Sequence, residues 1–224
     1  MCGRYTLSKP GDLLTELGVE HTEPIRASYN VAPTQTMPAV RAAKDGGREL
    51  APLRWGLIPF WAKDMKIGNR MINARSETVA SKPAFRNSFK RKRCAVLADG
   101  FYEWKKVDGG KQPYHIHMKD RRPFVFAGLW DRWDKGPIDP IESFTILTTR
   151  PNDKVAFVHD RMPVILPPEA IDTWLDPSLS DASQLTELLQ PFEADEMELT
   201  PVSKMVNRPS NNAPQCLEPV DINE

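Results

Sequence analysis

The sequence has few of the features that mark secreted, membrane or metal-binding proteins. It contains only three cysteines in 224 residues and no C-x-x-C pair, which argues against a disulfide framework and a zinc knuckle. No apolar run approaches the ~20 residues that a membrane-spanning helix needs. The amino terminus has no basic segment followed by an apolar stretch, so no signal peptide is predicted. We therefore expect a cytoplasmic protein that does not contact a membrane.

Nucleotide-binding motifs and internal repeats are also missing. The chain has neither a G-x-G-x-x-G motif nor a P-loop, so nucleotide binding has no support. Its 21 prolines are scattered and separate many short elements, so they do not mark one linker. A hydrophobic content of 40% and a charged content of 27% are typical of a globular protein. A chain of this length suits one domain.

Most of the predicted elements are strands. Segments rich in β-branched and aromatic residues predict them: VLADGFYEW, PYHIHMK, PFVFAGLW, SFTILTT and MPVIL. Helices are predicted for GDLLTELG, PPEAIDTWL and DASQLTELL, with Asp181 as the cap of the last. Because strands and helices do not alternate regularly, we predict an α+β fold. It is a single domain with a mainly antiparallel or mixed, barrel-like sheet and a few flanking helices.

The charges are distributed unevenly, although the net charge is zero. Residues 1–100 carry 17 Lys and Arg against 9 Asp and Glu, and the remainder carries 13 against 21, giving +8 and −8. Such asymmetry favours a polyanionic partner for the basic part. The alternative is that the basic run RNSFKRKR is only the solvated end of a helix.

The opening MCGRYT places one of the cysteines directly behind the initiator methionine. If Met1 is retained, Cys2 is an ordinary side chain near a terminus. If Met1 is removed, Cys2 carries a free α-amine and a thiol on adjacent carbons. The amine can form a Schiff base with an aldehyde, because a substantial fraction of it is unprotonated at neutral pH. Addition of the thiol then closes a thiazolidine ring, which an internal cysteine cannot form.

Short strings that combine polar groups with Gly, Pro or aromatic residues occur along the whole chain. They are MCGRYT, SYNVAP, RWGLIPFWA, INARSET, FYEW and HDRMP. In this order and spacing they closely resemble the signature of the abasic-site processing proteins, also called SOS-response-associated peptidases. The resemblance implies a catalytic and DNA-binding domain over residues 2–207, followed by an irregular tail at 208–224. It also implies abasic single-stranded DNA as the covalent partner.

The resemblance implies four catalytic residues. Cys2 is the nucleophile, and Glu103 and His159 carry protons while the sugar opens and the thiazolidine closes. Asn73 matches the amide that hydrogen-bonds the opened sugar and orients its aldehyde. The residues alone also allow other interpretations. Glu103 could be a surface carboxylate at a strand edge, His159 a surface residue in a turn, and Asn73 a turn or cap residue.

Further residues are implied to bind DNA or to support the site. The implied phosphate contacts are Arg4, Arg75, Arg161 and Arg86, and the run from Arg86 to Arg93 extends that track. Phe60 and Trp61 match an aromatic wedge that stacks on unpaired bases, with core packing as the alternative for Trp61. Asn30 is expected to hold the amino-terminal segment in place.

His115 and His117 alternate along PYHIHMK and share one strand face, a spacing that could hold a metal. Because no third ligand is evident, we expect both to face solvent and predict no metal or other cofactor. Cys94, in the apolar run CAVLA, is expected to be a buried core thiol.

The sequence therefore predicts an enzyme that senses an abasic site in single-stranded DNA and shields it covalently through Cys2. Removal of Met1, reversal of the crosslink and strand cleavage by β-elimination are implied as lesser activities. Two other classes stay open. One is a Cys–His thiol peptidase using Cys2, His159 and either Asn73 or Glu103, and the other is a passive single-strand-binding module. The protein is expected at the nucleoid, and nothing requires more than a monomer.

Overall fold

The structure is a computed structural model that describes residues 2–10, 13–20, 24–136 and 139–222. The strands in these ranges are β1 (Tyr5–Leu7), β2 (Ser28–Val31), β3 (Thr36–Ala42), β4 (Arg48–Trp55), β5 (Asn73–Arg75), β6 (Arg93–Ala98), β7 (Gly100–Val107), β8 (Gly110–Met118), β9 (Phe124–Trp133), β10 (Ile141–Thr149), β11 (Met162–Pro163), β12 (Ile165–Leu166) and β13 (Met197–Pro201). The α-helices are α1 (Leu13–Glu16), α2 (Arg86–Arg91), α3 (Pro168–Leu175) and α4 (Ala182–Glu187). Short 3-10 helices span Met65–Arg70, Val155–Phe157, Ala194–Glu196, Lys204–Asn207 and Pro214–Leu217. Of the helices in the described ranges, none is both long and apolar enough to cross a membrane.

Five strands close into a barrel. β10, β4, β3, β6 and β9 are neighbours in that order, and β9 pairs again with β10, so the sheet returns to its first strand. β10 runs parallel to β4, whereas the other four pairings of the barrel are antiparallel. Closure leaves these strands without the exposed edges of an open sheet. The predicted α+β class with a mixed, barrel-like sheet is confirmed.

A second sheet, in the order β13–β8–β7–β1–β2, packs against the barrel. Tyr5 of β1 meets Trp55 of β4 and Phe126 of β9 edge-on, with ring centroids 5.2 and 5.8 Å apart. Phe101 of β7 also packs on Phe126, at 6.1 Å. All four rings are fully buried, and each such burial stabilises the fold by about 1.5–3 kcal/mol. This interface fixes β1, and with it the residues just before β1.

The predicted helices are present, and their ends follow local chemistry. Asp181 caps α4 by accepting a hydrogen bond from Ser183 N at 2.8 Å. α3 begins at Pro168, where the missing N–H of proline costs nothing because the first helical N–H groups have no partner within the helix. α1 is a single turn, and Gly18 follows it with a φ of +66°, a conformation that glycine adopts without strain.

The prediction that His115 and His117 face solvent is wrong. Both side chains are buried in the second sheet. His115 Nε2 lies 3.1 Å from Thr6 Oγ1, and His117 Nε2 lies 2.9 Å from Thr200 Oγ1. The alternation of the strand put both rings on one face, but it cannot tell which face other residues cover. Among the described residues, no group of three potential metal-ligating side chains comes together.

The basic run from Arg86 to Arg93 is not one continuous surface. Arg86 is exposed at the start of α2, whereas only 4% of Arg93 is exposed. The Arg93 guanidinium donates to backbone carbonyl oxygens of Phe89, Lys90, Trp174, Asp176 and Leu179. Several of these carbonyls end α2 and α3, and helix C-termini favour a cation. Arg93 therefore joins two helix ends, and the prediction that it extends a DNA track is wrong.

Candidate active site

The segment before β1 places Cys2 beside Glu103. β1 pairs antiparallel with β7, and Tyr102 N donates to the Arg4 carbonyl oxygen at 3.0 Å. Continuing this register by one residue puts Gly3 opposite Glu103, so Cys2 lies just beyond that carboxyl. The electrostatics agree, because burial and then the negative charge of Glu103 raise the pKa of the Cys2 thiol.

Asn73 fixes the backbone of Cys2. It is the first residue of β5, which lies parallel to β10 with Asn73 opposite Ile146. Its Nδ2 donates to the Cys2 carbonyl oxygen at 2.8 Å. Its Oδ1 is buried and accepts no hydrogen bond from any residue that the structure describes. The amide thus holds Cys2 and keeps one acceptor atom open beside it.

The Cys2 thiol is held in its neutral form. The residue is fully buried, and its Sγ donates to the Arg4 carbonyl oxygen at 3.7 Å. Burial raises the pKa of the thiol far above its usual value. Since the thiolate is the nucleophilic form, the thiol needs a base at the moment it reacts.

Burial reverses the usual order of the pKa values of Glu103 and His159. It raises the pKa of the Glu103 carboxyl, on β7, to about 7. It also lowers the pKa of His159, which follows the 3-10 helix Val155–Phe157. The ammonium of Lys111 acts on both, favouring the carboxylate of Glu103 and the neutral ring of His159. Near neutral pH, Glu103 can donate a proton and His159 can accept one.

His159 Nδ1 has two neighbours that require different protonation states. Arg161 N donates to it at 3.0 Å, which requires a ring nitrogen without a proton. Asp160 Oδ1 lies 2.8 Å from the same nitrogen and forms an ion pair with it only when the ring is charged. A neutral ring with its proton on Nε2 accepts from Arg161 N, whereas a ring with a proton on Nδ1 donates to Asp160.

Arg4 and Asn30 connect the amino-terminal segment to residues 206–212, which we call the C-terminal strap. Arg4 Nη1 donates to Asn30 Oδ1 at 3.0 Å and to the Val206 carbonyl oxygen at 2.9 Å. Asn30 Nδ2 donates to three carbonyl oxygens of the strap. The geometry agrees with a positioning role for Asn30. The strap was not predictable from the sequence, because it contacts Arg4 and Asn30 through backbone carbonyl oxygens, which leave no pattern in the residue types.

Arg75 and Arg161 differ in how accessible they are. Arg75 is exposed and shares one face of β5 with Asn73, because Ala74 between them is buried on the other face. Arg161 is 13% exposed and forms a bidentate pair with Glu77, with Nη1–Oε1 and Nη2–Oε2 distances of 2.5 and 2.9 Å. Arg75 is therefore accessible to a ligand, whereas Arg161 and Arg4 are bound within the fold. Phosphate contacts by these arginines stay predictions.

Phe60 and Trp61 are exposed on a loop that the barrel holds in place. Their exposed fractions are 52% and 42%, which rules out core packing as the explanation for Trp61. Phe60 N donates to Asp131 Oδ2 at 2.8 Å, and Trp133 Nε1 donates to the Ala62 carbonyl oxygen at 2.8 Å. The loop thus presents two aromatic side chains from a fixed backbone.

Comparisons with known proteins show which family the chain resembles. The sequence model of the family described as SOS response associated peptidase (SRAP) matches residues 1–209. The abasic site processing protein YoqW of Bacillus subtilis is 46% identical over 224 residues, covering 97% of this chain and 99% of YoqW. The abasic site processing protein HMCES of Gallus gallus is 35% identical over 229 residues, covering 88% of this chain and 67% of HMCES.

The fold is likewise shared with a solved structure. The crystal structure of a protein from Bacteroides thetaiotaomicron superposes with a TM-score of 0.86 at 28% sequence identity. The superposition covers 98% of this chain and 100% of that one. With a family match over nearly the whole length and relatives of this identity, the chain belongs to the SOS response associated peptidase family.

Proposed function

We propose that this protein captures abasic sites in single-stranded DNA through a thiazolidine formed by Cys2 after removal of Met1. The family and the names of its relatives support the lesion as substrate. The fixation of Cys2 carries the chemical part of the proposal. Asn73 binds its carbonyl oxygen, and the strand register sets it beside Glu103. A nucleophile on a chain terminus needs such immobilisation before orientation can accelerate a reaction.

The proposed reaction has three steps. Protonated Glu103 donates to the ring oxygen of the sugar while the anomeric hydroxyl releases its proton to solvent, which opens the hemiacetal to an aldehyde. The Asn73 amide binds the opened sugar. The α-amine of Cys2 attacks the aldehyde carbon, and water leaves to give an imine. The Cys2 sulfur then adds to the imine carbon, and its proton passes through His159 to the imine nitrogen. Because burial keeps the thiol neutral, attack by the amine precedes attack by sulfur.

The lesser activities follow from the same intermediate. The imine is the point from which the crosslink reverses, if the ring reopens and water attacks. It is also the point from which β-elimination breaks the strand, since it acidifies the neighbouring carbon of the sugar. Ring closure removes this intermediate, so faster closure favours shielding over cleavage.

A Cys–His thiol peptidase fits the geometry less well. Such an enzyme activates its nucleophile by lowering the pKa of the thiol, commonly beside an imidazolium. Here burial raises the pKa of the Cys2 thiol and lowers that of His159. Aminothiol chemistry needs no resident thiolate, because the amine begins the reaction.

Intact-mass spectrometry of the purified protein, before and after mixing with abasic single-stranded DNA, tests the proposal. We expect loss of Met1 and one added strand per protein, in a complex that survives boiling in detergent. Cys2→Ala should lose that complex. Acetylation of the α-amine should also abolish it, although a thiol peptidase would keep its activity. Cys2→Ser is the matched control, because it keeps the amine but closes a weaker ring.

Two results would contradict the proposal. One is a protein that retains Met1 and still captures abasic DNA fully. The other is a complex of the wild-type protein that dissociates on boiling or in high salt, which would identify a passive binding module.

A further inference from the structure

The hairpin between β7 and β8 borders an open groove that begins at His159, which we call the hairpin groove. The residues that line it are Trp104, Lys105, Lys106, Lys111, Pro151, Ala156, Phe157, Val158, His159 and Asp160. Its volume is about 840 Å³, comparable with pockets that hold whole small-molecule ligands. The groove is therefore large enough for a nucleotide.

The charge of the groove suits a polyanion. Lys105, Lys106 and Lys111 occupy one seven-residue segment, although the part of the chain that contains it is acidic on average. The net charge of −8 over the residues after 100 does not reveal this basic cluster. Asp160 is the carboxylate in the lining, and its Oδ1 is turned toward His159 Nδ1. The lysines thus outnumber the carboxylate at the wall of the groove.

An exposed aromatic ring lies among these lysines. Phe157 is 53% exposed, although it is a large apolar side chain. Its ring meets Tyr114 edge-on, with centroids 5.8 Å apart, and Lys105 Nζ lies over the ring 3.3 Å from the centroid. The lysine stem is flexible, so the ammonium can leave the ring for a phosphate. A base can then stack on the ring face that Lys105 had covered.

The groove is continuous with the candidate active site. Lys105 is two residues beyond Glu103 on the same face of β7, a separation of ~6.6 Å along a strand. Tyr114, which supports Phe157, is paired directly with Glu103 across the hairpin. Phe157 is itself two residues before His159. The groove therefore shares His159 with the candidate active site and lies beside the strand that carries Glu103.

We propose that the hairpin groove binds the DNA strand on one side of the lesion, with a base stacked on Phe157 and phosphates on Lys105, Lys106 and Lys111. The position of the lesion rests on the proposed function, whereas the binding of the strand does not. The groove lining does not include Phe60 or Trp61. The two aromatic platforms are therefore separate surfaces.

Equilibrium binding with one-sided oligonucleotides tests this proposal without any covalent step. Each oligonucleotide carries a tetrahydrofuran abasic analogue, which has no aldehyde, at its 5′ or 3′ end, so the strand extends in one direction only. We expect Lys105→Ala/Lys106→Ala to weaken binding of one oligonucleotide and to leave the other unchanged. For the weakened oligonucleotide, the slope of the logarithm of the binding constant against the logarithm of the salt concentration should become shallower by up to ~1.4. Each lost contact with a single-strand phosphate removes about 0.7 from this slope. Phe157→Ala should weaken the same oligonucleotide by about tenfold.

Lys44→Ala/Lys119→Ala is the matched control, because it removes two exposed lysines outside the groove. It should leave both oligonucleotides unaffected, and thermal melting should show that all the variants remain folded. Equal weakening of both oligonucleotides by the hairpin variant, or no weakening of either, overturns the proposal. A different result would contradict the proposed function alone. In that result the hairpin variant weakens only one oligonucleotide, but the wild-type protein forms no denaturation-resistant complex with an aldehyde-bearing strand.

Discussion

Glu103 is a buried carboxyl between two aromatic residues of β7, Tyr102 and Trp104. Only 3% of the residue is exposed, and burial disfavours the charged form of an acid. The protein therefore holds near Cys2 a group that is partly protonated at neutral pH. The sequence alone could not reveal this, because FYEW is equally consistent with a surface carboxylate at a strand edge. The resemblance to a family implied a role for Glu103, and the structure shows that its carboxyl is buried.

Glu103→Gln tests the proton-donor role. The pKa of Glu103 is raised to about 7, so the donating form is lost as the pH rises through 7. The α-amine gains its reactive form over a higher range, so the wild-type rate of crosslinking should pass through a maximum. The variant should be slower by about 100-fold and should keep only the rise with pH. Crosslinking rates from pH 5.5 to 9, with circular dichroism as a check of the fold, measure this. An unchanged maximum in the variant contradicts the assignment.

Asn73→Asp tests the fixation of Cys2. The variant keeps the size of the side chain but replaces the amide that donates to the Cys2 carbonyl oxygen with an acceptor. The lost hydrogen bond contributes about 0.5–1.5 kcal/mol, so the protein should remain folded. The crosslinking rate should nevertheless fall by at least tenfold, because the terminal nucleophile is no longer held. Asn69→Asp is the control, since Asn69 is exposed and accepts from Arg54 through Oδ1. Equal rates for the two variants would show that Asn73 does not position Cys2.

The loop after β4 shows how an element can be rigid and still present apolar side chains to solvent. Its backbone is tied to β9 through Asp131 and Trp133, so Phe60 and Trp61 do not collapse onto the barrel. Exposed aromatic side chains on a fixed backbone are the arrangement that stacking on unpaired bases requires. Trp61 and Trp133 therefore differ in role, although they belong to neighbouring segments.

Replacing Trp61 should affect DNA binding alone, and replacing Trp133 should lower the stability of the fold. Trp61→Ala should leave the free energy of unfolding within ~0.5 kcal/mol of the wild type, because the side chain is largely exposed. It should weaken binding of single-stranded DNA by about tenfold. Trp133→Ala should destabilise the fold by about 3–5 kcal/mol, because it empties a buried position and removes the bond to Ala62. Urea unfolding and fluorescence anisotropy measure the two effects, and a large loss of stability in Trp61→Ala would contradict this division.

Individual elements were largely predictable, whereas their closure into a barrel was not. The apolar and β-branched runs that become β9 and β10 are local signals, and so is the cap at Asp181. The parallel pairing of β10 with β4 joins segments almost ninety residues apart, and no local pattern specifies it. Arg93 was wrongly predicted for a related reason. A basic run shows that a helix end is charged, but not which of its side chains faces other helix ends.

At the scale of the whole molecule, the candidate site lies where the segment before β1, the C-terminal strap and both sheets meet. β1 and β7 come from the second sheet, and β5 is joined to the barrel through β10. The C-terminal strap completes the support of Arg4 and Asn30. The candidate site residues thus come from segments far apart in sequence, which only tertiary pairing brings together. The sequence strings named these residues but contained no information on their proximity.

The buried histidines should make the fold sensitive to acid. Burial lowers the pKa of His115 well below 6.5, so its neutral form is the folded form. Its contribution to stability is complete above the unfolded pKa and is lost as the pH falls below about 6.5. The slope should reach at most ~1.4 kcal/mol per pH unit for each such histidine. Urea unfolding between pH 7.5 and 5 measures it, and His115→Gln should show a shallower decline. The same decline in that variant would exclude His115 as the cause.

The contacts of Arg93 do not depend on pH as those of the buried histidines do, so acid should loosen one part of the fold before the other. A guanidinium stays charged at every pH at which the fold survives, and all its acceptors are backbone carbonyls that do not titrate. Mild acid therefore loosens the sheet that contains His115 while the α2–α3 junction stays closed. Amide hydrogens of β8 and β13 should exchange with deuterium at pH 5 sooner than those of β6. Acid would then release the proposed nucleophile, Cys2, by loosening the sheet that holds its segment, while the barrel persists.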